Sequence, residues 1–163
     1  MKATALVLLA GIAVHAPPAF AAPATQSPLL GQWTLDVASL PMPPEARPQR
    51  VDLDFRDVDG GKLATRVEII DQAGQRMHSE STLSLDGTPG QASGSYWVDV
   101  LAAKMPAPNV LVMQFVYQGI PRSTRVYSVG TDSMALTETE AYFKEDGTPV
   151  MRTAVFHRAP AQP

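Results

Sequence analysis

Glu138 and Glu140 are the residues whose type and spacing come closest to catalytic chemistry. Two carboxylates two residues apart on one strand face lie about 7 Å apart. If buried, such a pair can divide acid and base roles. The alternate positions Ala135, Thr137, Thr139 and Ala141 carry small side chains. Small side chains suit a barrel interior with room for a ligand. That pattern predicts Thr137 inward and both glutamates in solvent.

Other constellations fall short of the chemistry they suggest. Beyond the leader, the only histidines are His78 and His157, without the close ligand pairs of a zinc site. His78 alternates with Glu80 and Thr82, which predicts a wet strand face. The run from Asp52 to Gly60 is acidic, but a calcium loop started at Asp57 puts Gly61 at position 5 and Lys62 at position 6. Alternating aspartates on a solvated strand are the simpler reading. Gly90-Gln91-Ala92-Ser93-Gly94 has its serine out of place for a nucleophile elbow, and no helix follows. It reads as a loop. No metal or cofactor is expected.

Composition narrows the classes further. The chain has 163 residues, 15 Pro, 11 Gly, no Cys and a net charge of −3. Its length suggests one domain. No two Lys or Arg are adjacent, so there is no basic patch for nucleic acid. Without Cys there are no disulfides, thiolate metal sites or cysteine nucleophile.

The N-terminus has the order of an export signal. Met1-Lys2 gives a positive start, Ala3 to Val14 is apolar, and Ala19-Phe20-Ala21 is a small-x-small cleavage site. The apolar run is too short to span a membrane, and Pro17-Pro18 stop it. Residues 1–21 are therefore expected to be a signal peptide, and the mature chain to be periplasmic or secreted with no membrane span. Residues 22–28 lack periodicity and read as a disordered lead-in. The domain itself is expected over 29–159.

That domain reads as strands and turns. Prolines recur too often for long helices. Between them lie short runs rich in Val, Thr, Tyr, Phe and Ile with period two. Val51, Leu53 and Phe55 alternate with Asp52 and Asp54; Leu63, Thr65, Val67 and Ile69 alternate with Ala64, Arg66 and Glu68. Nine strands are predicted, at 30–38, 50–57, 62–71, 75–85, 94–103, 110–118, 122–129, 133–143 and 148–158. Turn signals such as Gln72-Ala73-Gly74 and Asp146-Gly147 are too short for parallel crossovers. The expected fold is all-β: a single antiparallel up-and-down barrel of eight or nine strands, with a β-sandwich as the alternative.

Two connections are longer, Leu40–Gln49 with four prolines and Ala102–Asn109 with two. Counting turns along nine strands puts both at one end, where they would rim a barrel mouth. Met42 and Met105 belong to that expected rim. The run from Val110 to Tyr117 is apolar on both faces. Such a strand is buried on both sides or faces a partner.

Leu30-Gly31-Gln32-Trp33-Thr34-Leu35-Asp36 resembles the opening of lipocalin-like proteins. The proline-rich stretch after it and the turn Asp146-Gly147-Thr148-Pro149 resemble small exported bacterial members of that class. The resemblance in layout covers about residues 29–158. It implies an up-and-down barrel, often holding a small apolar molecule, with Trp33 plugging the closed end. It also implies an arginine from the last strand stacked on that tryptophan, with Arg152 and Arg158 as candidates. Thr131-Asp132-Ser133 lacks the tyrosine of the family's closed-end turn, and the turn count places it at the open end. The family's helix after the barrel is absent.

These readings converge on an exported barrel that binds a small, largely apolar molecule. The expected lining is Val98, Met113, Phe115, Tyr117 and Thr137, with Met42 and Met105 at the rim. A filled barrel that docks or inhibits an envelope protein is the second reading. A cavity enzyme using Glu138, Glu140, His157 or Arg125 is the third, and requires at least two of them in one pocket. Oligomeric state is left open.

Overall fold

A computed structural model describes residues 26–58 and 60–159. The expected signal peptide and most of the expected lead-in lie outside those residues. Ten antiparallel strands close into one barrel: β1 (Gly31–Leu35), β2 (Arg50–Val58), β3 (Lys62–Ile70), β4 (Arg76–Ser84), β5 (Asp86–Gly94), β6 (Val100–Ala107), β7 (Val110–Tyr117), β8 (Ile120–Val129), β9 (Ala135–Phe143) and β10 (Pro149–Arg158). Each strand pairs with its chain neighbours, and β1 pairs with β10 to complete the ring. Closure of the ring rules out the sandwich.

Local patterning explains the regular half of the barrel. β2 and β3 pair without interruption from Arg50↔Ile70 to Val58↔Lys62. Their alternate apolar residues Leu53, Phe55 and Leu63 are buried. The charged positions form an outer ladder in which Asp52 pairs with Arg50, and Arg66 with both Glu68 and Glu80. Those pairs are exposed enough to add little stability. Within the acidic run, Asp52 and Asp54 take part in this ladder, Asp54 beside Arg56. β7 is apolar on both faces because its sides do different things. Leu111, Met113 and Phe115 are buried inside. Val112 and Val116 are half-buried outside, in register with Val126 and Val100, as cross-strand pairing of β-branched residues favours.

The strand count is ten, not eight or nine. The segment read as a loop is β5, whose sequence DGTPGQASG has almost no strand propensity. Its glycines serve close approach instead. A Cβ on Gly94 would lie 2.2 Å from the His78 carbonyl oxygen, and its φ is +132°. The extra strand reverses the turn count beyond it. The 37–49 connection lies at one end of the barrel, the proline-loop end. The β6–β7 turn and Met105 lie at the other, where the Met105 amide reaches the Leu85 carbonyl. Met105 is therefore not at the rim of that mouth. The turn at Thr131–Ser133 likewise moves to the end that holds Trp33.

The Trp33 end is closed by one side chain. Trp33 is fully buried and donates from Nε1 to the Leu29 carbonyl at 2.8 Å. The Arg158 guanidinium lies 4.2 Å from the centroid of its ring. That guanidinium also donates to the carbonyls of Pro28, Leu30 and Ser133 at 2.7, 2.9 and 3.0 Å. Of the two candidates, Arg158 stacks on the tryptophan and Arg152 does not. Gly31 makes room for this. Its φ is +119°, and a Cβ there would come within 2.8 Å of Arg158 Nη1.

Arg158→Met should therefore lower stability by about 2–4 kcal/mol, through three abandoned carbonyls and a lost cation–π contact. Gly31→Ala should cost about 1–3 kcal/mol from the strained backbone alone. Urea denaturation followed by tryptophan fluorescence measures both; unchanged midpoints would contradict the clamp.

Candidate functional site

The proline-loop end is open and carries the candidate site. Two short 3-10 turns (Val37–Ser39 and Pro44–Ala46) shape the connection across it. Arg47 pins this connection by donating to the Met42 and Leu40 carbonyls at 2.9 and 3.2 Å. Opposite it stands the 95–99 loop. Its Ser95 and Tyr96 amides donate to the His78 carbonyl, and Val98 is buried beneath it. Asp99 accepts from the Gln118 amide at 2.7 Å, tying this loop to the β7–β8 turn. Tyr96 and Trp97 are thereby held over the mouth, stacked with centroids 6.4 Å apart.

Below the mouth are two adjoining lobes. The inner lobe, about 220 Å³, is lined by Leu35, Leu40, Met42, Val51, Val67 and Ile69 among others. The outer lobe, about 300 Å³, is lined by Trp97, Phe115, Arg122, Ser123 and Tyr142. Tyr96, Arg125, Glu140 and Arg152 border both. The outer lobe reaches the lower bound of the range for small-molecule pockets, and the inner lobe falls below it.

A buried ion network separates the lobes. β9 points Leu136, Glu138 and Glu140 inward, so the glutamates are 8% and 6% exposed. This corrects the facing predicted from side-chain size. Thr137 lies on the outer surface, and small residues face out where the outside is merely half-covered. Arg125 on β8 sits directly across from Glu140. Its Nη2 approaches Glu140 Oε1 at 3.0 Å and its Nη1 approaches Glu138 Oε2 at 3.7 Å. Arg152 Nε donates to the other Glu140 oxygen at 2.5 Å. Arg125 also lies 4.6 Å from the Phe115 ring centroid and 3.3 Å from the Tyr96 hydroxyl.

The network sets protonation unequally. Burial pushes the Glu138 carboxyl above its usual range, and the pull of Arg125 does not cancel this. Burial acts the same way on Glu140, but Arg125 and Arg152 outweigh it and hold that carboxyl low. Burial disfavours charge on Arg125, yet Tyr127, Glu138, Tyr96 and Glu140 together keep it a guanidinium. Burial, then Glu138, push the Tyr127 hydroxyl well up. Glu138 can thus hold a proton while Glu140 stays ionised. Glu138, Glu140 and Arg125 share one cavity, whereas His157 faces solvent beside Asp36.

The other expected site residues scatter. Met42 and Phe115 line the inner and outer lobes respectively. Met113 and Val98 are buried in the core, Val98 from a loop and not a strand. Tyr117 is half-buried where β7 ends. Arg125, a cavity candidate only under the enzyme reading, lines both lobes, and so do Arg152 and Tyr96, which the alternation of β9 and a strand over 94–103 do not point to. The period-two pattern Arg125, Tyr127, Val129 on β8 carried the missed signal. Among the described residues no group of three or more His, Asp or Glu is placed to hold a metal ion. No protein-family model matches the chain, and no curated protein matches it.

Glu138→Gln and Glu140→Gln should separate by pH. The raised Glu138 contributes most stability at low pH and loses it as pH rises through its folded value. Glu138→Gln should therefore gain on the parent protein as pH rises. The lowered Glu140 contributes at neutral pH and loses this as pH falls through its folded value. Glu140→Gln should cost about 1–3 kcal/mol at pH 7 and less in acid. Urea midpoints across pH 3–8 check both; parallel curves would contradict the assignment.

Proposed function

We propose that this is an exported, lipocalin-like barrel protein that binds a small, largely apolar molecule in the lobe beneath the proline-rich connection. The apolar lobe under a pinned loop carries the reading. Leu40 and Met42 come from that loop, and Val51, Val67 and Ile69 come from the ends of β2 and β3 beneath it. A loop held by an arginine over apolar strand ends leaves space that the barrel's own side chains do not fill. The arginine-on-tryptophan clamp at the opposite end supports the kinship in layout. The leader over residues 1–21 supports export.

N-phenyl-1-naphthylamine, a neutral apolar fluorophore, should bind with one site per chain. Val67→Phe should fill the lobe and weaken that binding at least tenfold while thermal stability is kept or raised. Absence of probe binding, or binding indifferent to Val67→Phe, would overturn the reading. Protein exported from an expression host should begin at Ala22 by intact mass; retention of the leader would count against export.

A further inference from the structure

The two lobes differ in chemistry, and their junction is one-sided in charge. The inner lobe is walled by aliphatic side chains from the proline-rich connection, β2 and β3, and meets the ion network only on its β8–β10 side. The outer lobe brings together Arg122, Arg125 and Arg152 with a single carboxylate, that of Glu140. With Glu138 counted as well, three guanidinium groups still face two carboxylates. The chain as a whole carries −3, so this mouth is a positive spot on an acidic protein. Its cations are also unequally committed. Arg125 is bracketed by both glutamates. Arg152 uses Nε on Glu140, and its terminal nitrogens have no partner among the described residues. Arg122 forms no ion pair among the described residues and is exposed at the lobe.

We infer that the ligand is an amphiphile with an anionic headgroup, its apolar part in the inner lobe and its acid group on Arg122 and Arg152. This rests on the reading of the cavity as a binding site and adds the class of molecule. Several observations favour that class. An arginine with free terminal N–H groups presents a fork suited to carboxylate or phosphate. Glu140 holds Arg152 from one side and leaves that fork toward the lobe. Tyr142, 5.5 Å from the Arg152 guanidinium, and the Tyr96–Trp97 pair wall the headgroup space with aromatic rings. These rings cover part of the space, while Arg122 and Arg152 remain exposed and reachable by a ligand from solvent. A neutral ligand would leave the excess positive charge unanswered. A cationic one would meet it head on.

The test compares 11-(dansylamino)undecanoic acid with its methyl ester by fluorescence titration. The two share the fluorophore and chain and differ in the charge. The acid should bind at least tenfold more tightly, with an affinity that falls as salt is raised. The Arg122→Gln, Arg152→Gln double variant should bring the ratio close to one. Equal affinities in the parent protein, or a ratio that survives both substitutions, would overturn the headgroup inference and leave the cavity reading standing. Binding of neither compound would overturn the cavity reading itself and this inference with it. Displacement by decanoate and by decyl phosphate, each set against decanol, tells a carboxylate ligand from a phosphate one. Decanol displacing as well as either would again overturn the inference.

Discussion

The barrel closes at its shortest strand, and a single guanidinium holds that closure. β1 pairs with β10 over Trp33, Thr34 and Leu35, flanked by the Asp36 amide on the Val155 carbonyl and the Ala159 amide on the Gln32 carbonyl. Three paired positions are a weak seam for a ring of ten strands, and an unclosed ring exposes two edges. Arg158 reinforces it from the end of β10. It reaches the carbonyls of Pro28 and Leu30 before and at the start of β1, and the Ser133 carbonyl in the β8–β9 turn. One side chain thus ties first strand, last strand and an intervening turn around a buried tryptophan. The chain has no disulfide to share this role. The Gly-x-Trp at the start of β1 has a physical reason here. The glycine is where the guanidinium passes, and the tryptophan is what it stacks on.

The opposite end follows from what the clamp permits. With one end sealed by Trp33, Leu29 and their neighbours, the core below can be conventionally packed, and Phe55 meets Tyr127 edge-on at 5.5 Å. Above Tyr127 the interior turns polar, because β8 and β9 point Arg125, Glu138 and Glu140 inward. Removing one partner from such a network leaves buried charge less well compensated and costs stability. A hydrophobic filling of the same volume would serve stability as well or better. The network lines both lobes of the cavity, so its charges face the open end and not the packed core.

The fold class was legible because it rests on alternation. Val51-Leu53-Phe55 and Leu63-Thr65-Val67 announce one-sided strands, and short turns leave antiparallel neighbours as the only solution. β5 was not legible for a reason of the same kind. Asp86–Gly94 earns its place by backbone proximity at Gly94, and glycine in a strand gives no side-chain pattern to read. One invisible strand then inverted the end assigned to everything computed by counting turns, which moved Met105 away from the mouth. Thr137 failed differently. Small residues at alternate positions suit an interior, whereas β9 is small on the outside and charged on the inside. A glutamate two residues from another looks like a solvated face until Arg125, thirteen residues earlier, is known to stand across the ladder. That pairing is a register fact, and sequence spacing does not contain it.

The charge placement also bears on how such a site stays selective. Arg125 has its charge answered by two glutamates, so it is a fixed feature that no ligand has to neutralise. Arg152 is answered once and Arg122 not at all among the described residues. The electrostatic demand on a ligand therefore falls at the outermost position, where water can still leave. The inner lobe offers mostly apolar surface away from its junction with the outer one. A molecule that satisfies both is oriented with its charged end toward the arginines, because the reverse would set an acid against Leu35, Val51 and Ile69, which carries a desolvation cost. Specificity of this kind comes from the penalty on the wrong orientation as much as from attraction in the right one.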